Sequence, residues 1–418
     1  MNIPELLAPA GTPEALRAAL HYGADAVYGG MKRFGLRAFA GNFDADQIRE
    51  AVALCHAHGR RFYLTMNVFP WDDELDDFVR AAEEALEIGV DAAIVGDLGA
   101  ICLLREKVPD LPIHVSTQAS ACNSAAVKHY RELGCERVIL AREMTLERIK
   151  ALRRNVPADM QIETFVHGAS CVAWSGRCLL SAAMTGRSGN RGECAQTCRW
   201  VYHVMEEQRP GEYMPVTEDD RGTYVFSARD LNLMPILPDL CDAGISSLKI
   251  EGRMKTEYYV AVVTGAYRRA LDCLREGREA FDAALPGLLA ELKCASHRMS
   301  DTGFLLGPPE KPAGATGFSQ TREYVARALS DAEPGEPAEL LLKNRFCKGD
   351  PLELMTPEGI LSFTAPSFIL ADTGETVDTY GVANAIIRMT LPCRVQKGDM
   401  LRGPVRNHSR EEKEDCAT

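Results

Sequence analysis

The sequence predicts an α/β protein: a (β/α)8 TIM-like barrel with a cysteine-rich insertion after strand 7, plus a small C-terminal antiparallel β-barrel domain. Three observations predict it. From residue 5 to about 275, short β-type runs alternate with amphipathic helical stretches, the pattern of parallel strands joined by crossover helices. One connection, 168–246, is far longer than the others and holds four clustered cysteines. Beyond residue 317 the helical period gives way to short alternating runs separated by turn residues.

The eight runs expected as strands are Glu5–Ala8, Ala26–Tyr28, Phe62–Val68, Ala92–Gly96, Ile113–Gln118, Arg137–Ala141, Ile162–His167 and Ser247–Glu251. Helices are expected between them, among them Pro13–Tyr22, Asp46–His58, Asp73–Ile88, Ala125–Leu133 and Leu146–Arg154, several of which end at glycine. Thr12 before Pro13 is a strong helix start: a capping hydroxyl, then a ring that needs no amide partner. The alternative, an open dinucleotide-binding sheet, needs a Gly-rich turn after the first strand, and Ala8 to Thr12 does not supply it. The expected domains are therefore 1–275 for the barrel, with the insertion at 168–246, then a helical connector at 276–317, a β-domain at 318–403 and a disordered tail at 404–418. Within the β-domain, Ala338–Leu342, Pro351–Leu354 and Ala385–Thr390 read as strands.

A chain of 418 residues with 46% apolar content can bury one barrel-sized core and a smaller one. A formal charge of −12 opposes indiscriminate polyanion binding and leaves room only for a local basic site. The N-terminus lacks the basic run and uninterrupted apolar stretch of a signal peptide, and no stretch of about 20 apolar residues is present, so a cytoplasmic location is expected. In that reducing compartment fourteen cysteines do not form a disulfide framework. Nine of them (Cys55, Cys102, Cys122, Cys135, Cys241, Cys273, Cys294, Cys347 and Cys393) stand singly and read as small buried hydrophobes. Cys416 sits in the charged tail.

The remaining four, Cys171, Cys178, Cys194 and Cys198, have the spacing C-x6-C-x15-C-x3-C. Interspersed glycines let such a loop wrap a compact metal centre. Zinc and a [4Fe-4S] cluster both accept four thiolates. Structural zinc sites favour two short pairs, and only Cys194 and Cys198 form one, so the cluster is the better fit; zinc and uncoordinated cysteines remain alternatives. Between His167 and Tyr202 stand Arg177, Arg187, Arg191 and Arg199 against Glu193 alone, which suits an anionic ligand, or else offsets a thiolate-held cluster.

Barrel enzymes place chemistry at the C-terminal ends of strands. That rule selects Asn67, Gln118, Glu163, His167, Lys249, Glu251 and Arg253, with Asn67 and Gln118 expected to bind substrate beside the arginines. His167 near Cys171 resembles a thiol protease pair but lacks a third orienting group. H-E-x-x-H and G-x-S-x-G do not occur. Trp174, Trp200 and Tyr202 are aromatics able to stack a base.

These residues carry a family resemblance. The run Glu163 to Ser181, the opening Glu5 to Gly11, Gly23 to Tyr28, Phe34 to Phe39 and Ser247 to Arg253 resemble the collagenase-like peptidase family U32. Ser296 to Arg298, Thr302 to Phe304 and Lys397 to Leu401 are similar to its branch named for tRNA hydroxylation. The resemblance implies an enzyme that hydroxylates the wobble uridine of tRNA to 5-hydroxyuridine without molecular oxygen. It further implies dependence on prephenate, an iron–sulfur centre, the tRNA anticodon loop as substrate and a paralogous family member as a possible partner. Sister branches imply the alternatives, a ribosomal RNA or quinone-precursor hydroxylase, and the family label implies a protease. By the same resemblance Cys171, Cys178 and Cys194 are cluster ligands; the fourth is Cys198, with Cys241 a distant substitute, because one relative draws its last cysteine from the segment aligned with Asp230 to Asn232.

Overall fold

The structure is a computed structural model that describes residues 3–36, 41–171, 173–200, 217–219, 222–224, 229–307 and 318–406. Tyr202, the side chain of Arg199 and the tail from 407 onward, all named above, lie outside the described residues.

Seven parallel strands open the chain: β1 (Glu5–Pro9), β2 (Ala26–Gly30), β3 (Arg61–Met66), β4 (Ala92–Val95), β5 (Ile113–Val115), β6 (Arg137–Ile139) and β7 (Gln161–Ala169). A short strand, β8 (Asp230–Asn232), then pairs antiparallel with the end of β7, setting Asp230 opposite Ala169. The barrel closes through β9 (Ser247–Ile250), which pairs in parallel with β7 on one side and β1 on the other. A closed parallel sheet of eight strands results, as the alternating pattern requires.

The helices around it begin where the chemistry of their first residues dictates. In α1 (Pro13–His21), Thr12 Oγ1 accepts from the Ala15 amide at 3.2 Å, and Ala15, Leu16 and Ala19 face the barrel. Asp44 and Gln47 exchange hydrogen bonds of 3.1 and 3.0 Å in a capping box that opens α2 (Ala45–Ala57). α3 (Leu75–Ile88) stops at Gly89, whose φ of +89° suits a residue without a Cβ. α4 (Leu98–Lys107), α5 (Ser124–Glu132) and α6 (Leu146–Arg154) follow β4, β5 and β6. α7 (Leu180–Thr185) belongs to the cysteine loop, and α8 (Leu237–Asp242) leads into β9. The outer layer ends with α9 (Glu257–Glu276).

α10 (Arg278–Leu292) forms the connector, and the C-terminal strands make one eight-stranded antiparallel sheet from Arg322–Ala328 to Met400–Pro404. Among the described residues its end strands, Ile360–Thr364 and Thr376–Val377, do not pair with one another, so it is a half-barrel. It docks on α1, α9 and α10 through buried polar contacts. Arg402 grips Glu291 with two hydrogen bonds of 2.8 Å and reaches Glu353 at 2.6 Å, while Tyr22 donates to the Met355 carbonyl at 3.0 Å. No described helix is long and apolar enough to cross a membrane.

Inside the barrel, below its mouth, lies a charge network with almost no access to water. Arg137 donates to Glu5 Oε1 at 2.7 Å and to Glu163 Oε2 at 2.9 Å, and Lys249 Nζ stands 3.1 Å from Glu163 Oε1. Arg61 reaches Glu5 Oε2 from the barrel's edge at 2.6 Å, so both buried carboxylates are paired with cations.

Candidate active site

A cavity of about 420 Å³ opens at the C-terminal ends of the strands. Its floor is built from Tyr28, Asn67, Gln118, Phe165 and Lys249, which leave β2, β3, β5, β7 and β9 or the turns just after them. The strand runs expected past Met66 and Val115 end earlier because the backbone turns there: Thr117 to Ala119 form a single 3-10 turn that sets Gln118 on the lining. Lys249 Nζ sits 4.3 Å over the Tyr28 ring, and burial lowers its pKa against the pull of Glu163. Glu251, Arg253 and Lys255 carry the lining along the exit of β9.

Arg253 faces the cavity, yet its guanidinium holds the rim together. It donates to the Leu36 carbonyl at 2.7 Å, to Thr65 Oγ1 at 2.9 Å and to Asn42 Oδ1. Gly30 is what admits it, since a Cβ there would collide with Arg253 Nη2. Arg142 sits over the Phe165 ring, its Cζ 3.7 Å from the centroid, and donates to the Ala169 carbonyl at 2.9 Å. Across the mouth, Phe318 is exposed between two cations, Lys255 at 4.6 Å and Arg298 at 4.1 Å from its centroid.

The cysteine loop roofs this cavity. Glu143, at the exit of β6, accepts from Ser175 Oγ at 2.7 Å and also from the Ser175 amide, which ties the loop to the barrel. Asn190 clasps the backbone of Cys178 through bonds of 3.2 and 3.3 Å. Cys171, Cys194 and Cys198 line the cavity, and Cys178 does not. The amides of Leu180 and Gln196 point at the sulfurs of Cys178 and Cys194, at 3.3 and 3.4 Å. Among the described residues no three His, Cys, Asp or Glu side chains lie close enough together to hold a metal ion. The donor chemistry fits a thiolate-held centre; the sulfurs as placed do not form its coordination sphere. Cys241, the substitute ligand, is buried in α8 with its thiol pushed up to about 12 by desolvation, so it is a packing residue.

Several expected site residues stand elsewhere. Glu163 is completely buried beneath the cavity and committed to Arg137 and Lys249. His167 faces the helix layer, its ring 5.6 Å from Tyr267 and 6.2 Å from Tyr259 of α9. The reason is a bulge. Lys249 pairs with Phe165 but Ile250 with His167, so Val166 is skipped and the inward alternation that includes Glu163 and Phe165 breaks before 167. His167 is thus not paired with the cavity-facing Cys171.

The loop arginines staple the loop and do not line the cavity. Arg177 Nε donates to the Gln118 carbonyl at 2.7 Å, and the exposed Arg187 donates to the Glu193 carbonyl at 3.1 Å. Arg191 forms a two-pronged pair with Glu74 at 2.7 and 2.5 Å and holds that carboxyl down to about 2. The side chain of Arg199 lies outside the described residues. Sequence reasoning missed Arg142 and Glu143, although they sit at a strand exit like the residues it found. Arg298 lies in a segment that carries the family resemblance but drew no site role, and Phe318 carried no signal; both stand over the mouth.

Burial holds the His167 imidazole down from 6.5 to about 4. Between those values the unfolded chain takes up a proton that the folded chain refuses. Stability present above pH 6.5 should therefore fall as pH drops, by about 3 kcal/mol at pH 4 from this group. His114, also held low by burial, acts in the same direction. Urea unfolding of His167→Phe against pH should show a shallower acid slope than wild type; an unchanged slope would contradict this placement.

A closed barrel whose polar floor and cationic rim are roofed by a thiol-rich loop defines a barrel enzyme with its site at the C-terminal face. The chain belongs to peptidase family U32: the family's sequence profile matches residues 11–314, and that of the U32 C-terminal domain matches residues 320–402. It is 39% identical over 403 residues to tRNA hydroxylation protein P of Escherichia coli, covering 86% of this chain and 88% of that one. It is 37% identical over 406 residues to tRNA hydroxylation protein P1 of Bacillus subtilis, covering 96% and 94%. The 23S rRNA 5-hydroxycytidine C2501 synthase of Escherichia coli is 39% identical over 274 residues, 66% of this chain and 40% of that one.

Proposed function

We propose that this protein is a tRNA hydroxylase of the cytoplasm that forms 5-hydroxyuridine at the wobble position, with prephenate as co-substrate and without molecular oxygen. The observation that carries the reading is likeness along nearly the whole chain to two proteins named for tRNA hydroxylation. The site supports it. Arg142, Lys255 and Arg298 outnumber Glu251 among the residues lining the mouth and give an acidic protein a local positive field there, which suits phosphate and carboxylate groups. Phe318 there and Trp174 on the cysteine loop, both exposed, offer faces for an unstacked base.

In this reading Cys171, Cys178, Cys194 and Cys198 hold a [4Fe-4S] cluster, supported by the donor set and the two amides aimed at sulfur. Such a cluster supplies redox chemistry at the mouth. The chain's own residues do the rest: Arg142, Lys255 and Arg298 hold anionic groups at the mouth, Arg253 fixes the rim, and the loop excludes water. Protein purified without oxygen and incubated with unmodified tRNA and prephenate tests the reading, with hydroxyuridine read by nucleoside mass spectrometry. The likeness to the ribosomal RNA synthase favours a second reading, which the same assay on ribosomal RNA separates through hydroxycytidine.

A further inference from the structure

Gln118 presents an anomaly that the site as described leaves unused. Its backbone is clamped: the carbonyl accepts from Arg177 Nε at 2.7 Å and the amide donates to Ser116 Oγ at 3.4 Å. Its side chain is only 3% exposed, and neither the carboxamide oxygen nor the nitrogen has a hydrogen-bond partner. Leaving both unpaired away from water is costly, and a fold does not retain such a group on packing grounds, because an apolar side chain of the same length would be cheaper. Gln118 also lines the cavity, and glycine at 96 keeps the space beside it open: a Cβ on Gly96 would stand 3.5 Å from Gln118 Oε1. A donor and an acceptor held side by side therefore wait for a partner with the complementary pair.

We propose that Gln118 reads the Watson–Crick edge of the target pyrimidine, an inference that rests on the RNA reading above. Uracil N3–H donates to Oε1 and uracil O4 accepts from Nε2; cytosine satisfies the same amide turned over, with N3 accepting and the N4 amine donating. Either way the C5–C6 edge of the ring points away from Gln118 and into the rest of the cavity. Gln118 is a specificity residue in this arrangement: it selects and seats the base, and no bond to it forms or breaks.

Binding of fluorescent anticodon stem-loops to the anaerobically purified full chain tests it, using uridine or N3-methyluridine at the wobble position. Methylation removes the N3 donor, so wild type should bind the uridine loop tighter by roughly tenfold to a hundredfold. Gln118→Ala, which removes both the amide and its bulk, should bind the two loops within about twofold of each other. Gln118→Met serves as the folding control: it should melt at or above the wild-type temperature, because two unpaired polar atoms are gone, while losing affinity for the uridine loop. A wild-type preference that persists in Gln118→Ala, or a wild type that does not distinguish the loops, would overturn the role of Gln118 while leaving the RNA reading standing. A wild type that binds neither loop would bring down the RNA reading and this inference with it.

Discussion

Replacing Arg137 with methionine should destabilise the protein by about 3–5 kcal/mol, measured as the shift in denaturant unfolding of the barrel. The magnitude follows from what the side chain leaves behind. Arg137 is 2% exposed and bridges Glu5 and Glu163, which are 6% and 0% exposed. Burial alone would raise the Glu5 pKa, and the neighbouring Arg137 and Arg61 reverse that and hold it low. Without Arg137, Glu163 keeps Lys249 as its one cation, and Glu5 keeps Arg61 at the barrel's edge, at 2.6 Å, with the Tyr63 and Ser247 hydroxyls at 2.8 and 3.0 Å. Methionine fills much of the volume, so the loss reports uncompensated charge rather than a void. Adding Glu5→Gln should return part of the lost stability; no recovery would show that the cost has another origin.

The second large effect concerns the thiol loop. On the proposed cluster assignment, serine at Cys171, Cys178 or Cys194 should lower bound iron and hydroxyuridine formation by at least about a hundredfold, since loss of a ligand exceeds the loss of a group that only orients one. Cys241→Ser should leave iron unchanged, because that thiol is buried in α8 and pushed up to about 12. Iron content and visible absorbance of anaerobically purified variants read both outcomes. Cys198→Ser decides the fourth ligand directly.

Much of this architecture was legible in the chain because two periodicities report burial. All eight parallel strands of the barrel were found, though not the antiparallel Asp230–Asn232, since parallel strands covered on both faces appear as continuous apolar runs, as in the fully buried Ala26–Gly30. Their C-terminal ends were overrun by a residue or more wherever the backbone leaves the sheet to carry a polar side chain over the mouth, as at Asn67 and Gln118. The rule that rim residues are functional therefore reached five of the lining residues: Asn67, Gln118, Lys249, Glu251 and Arg253. It misplaced His167, because one skipped residue in the pairing with β9 reverses which face a side chain takes, and alternation alone carries no trace of that bulge. The arginines illustrate a different limit. Their number suggested an anion site, but a guanidinium is as readily spent on a nearby carboxylate or carbonyl, as Arg191 is on Glu74 and Arg177 on the Gln118 carbonyl. Phe318 and Arg298 reach the mouth only because the connector folds back across it, a contact between segments distant in sequence.

Nucleoside mass spectrometry of tRNA bears most directly on the central claim that the barrel mouth hydroxylates the wobble base. Cells deleted for this gene and for any redundant paralogue should lack 5-hydroxyuridine and regain it with the wild-type gene, but not with Cys194→Ser. Undiminished 5-hydroxyuridine in the deletion strain would contradict the account, as would full restoration by the serine variant.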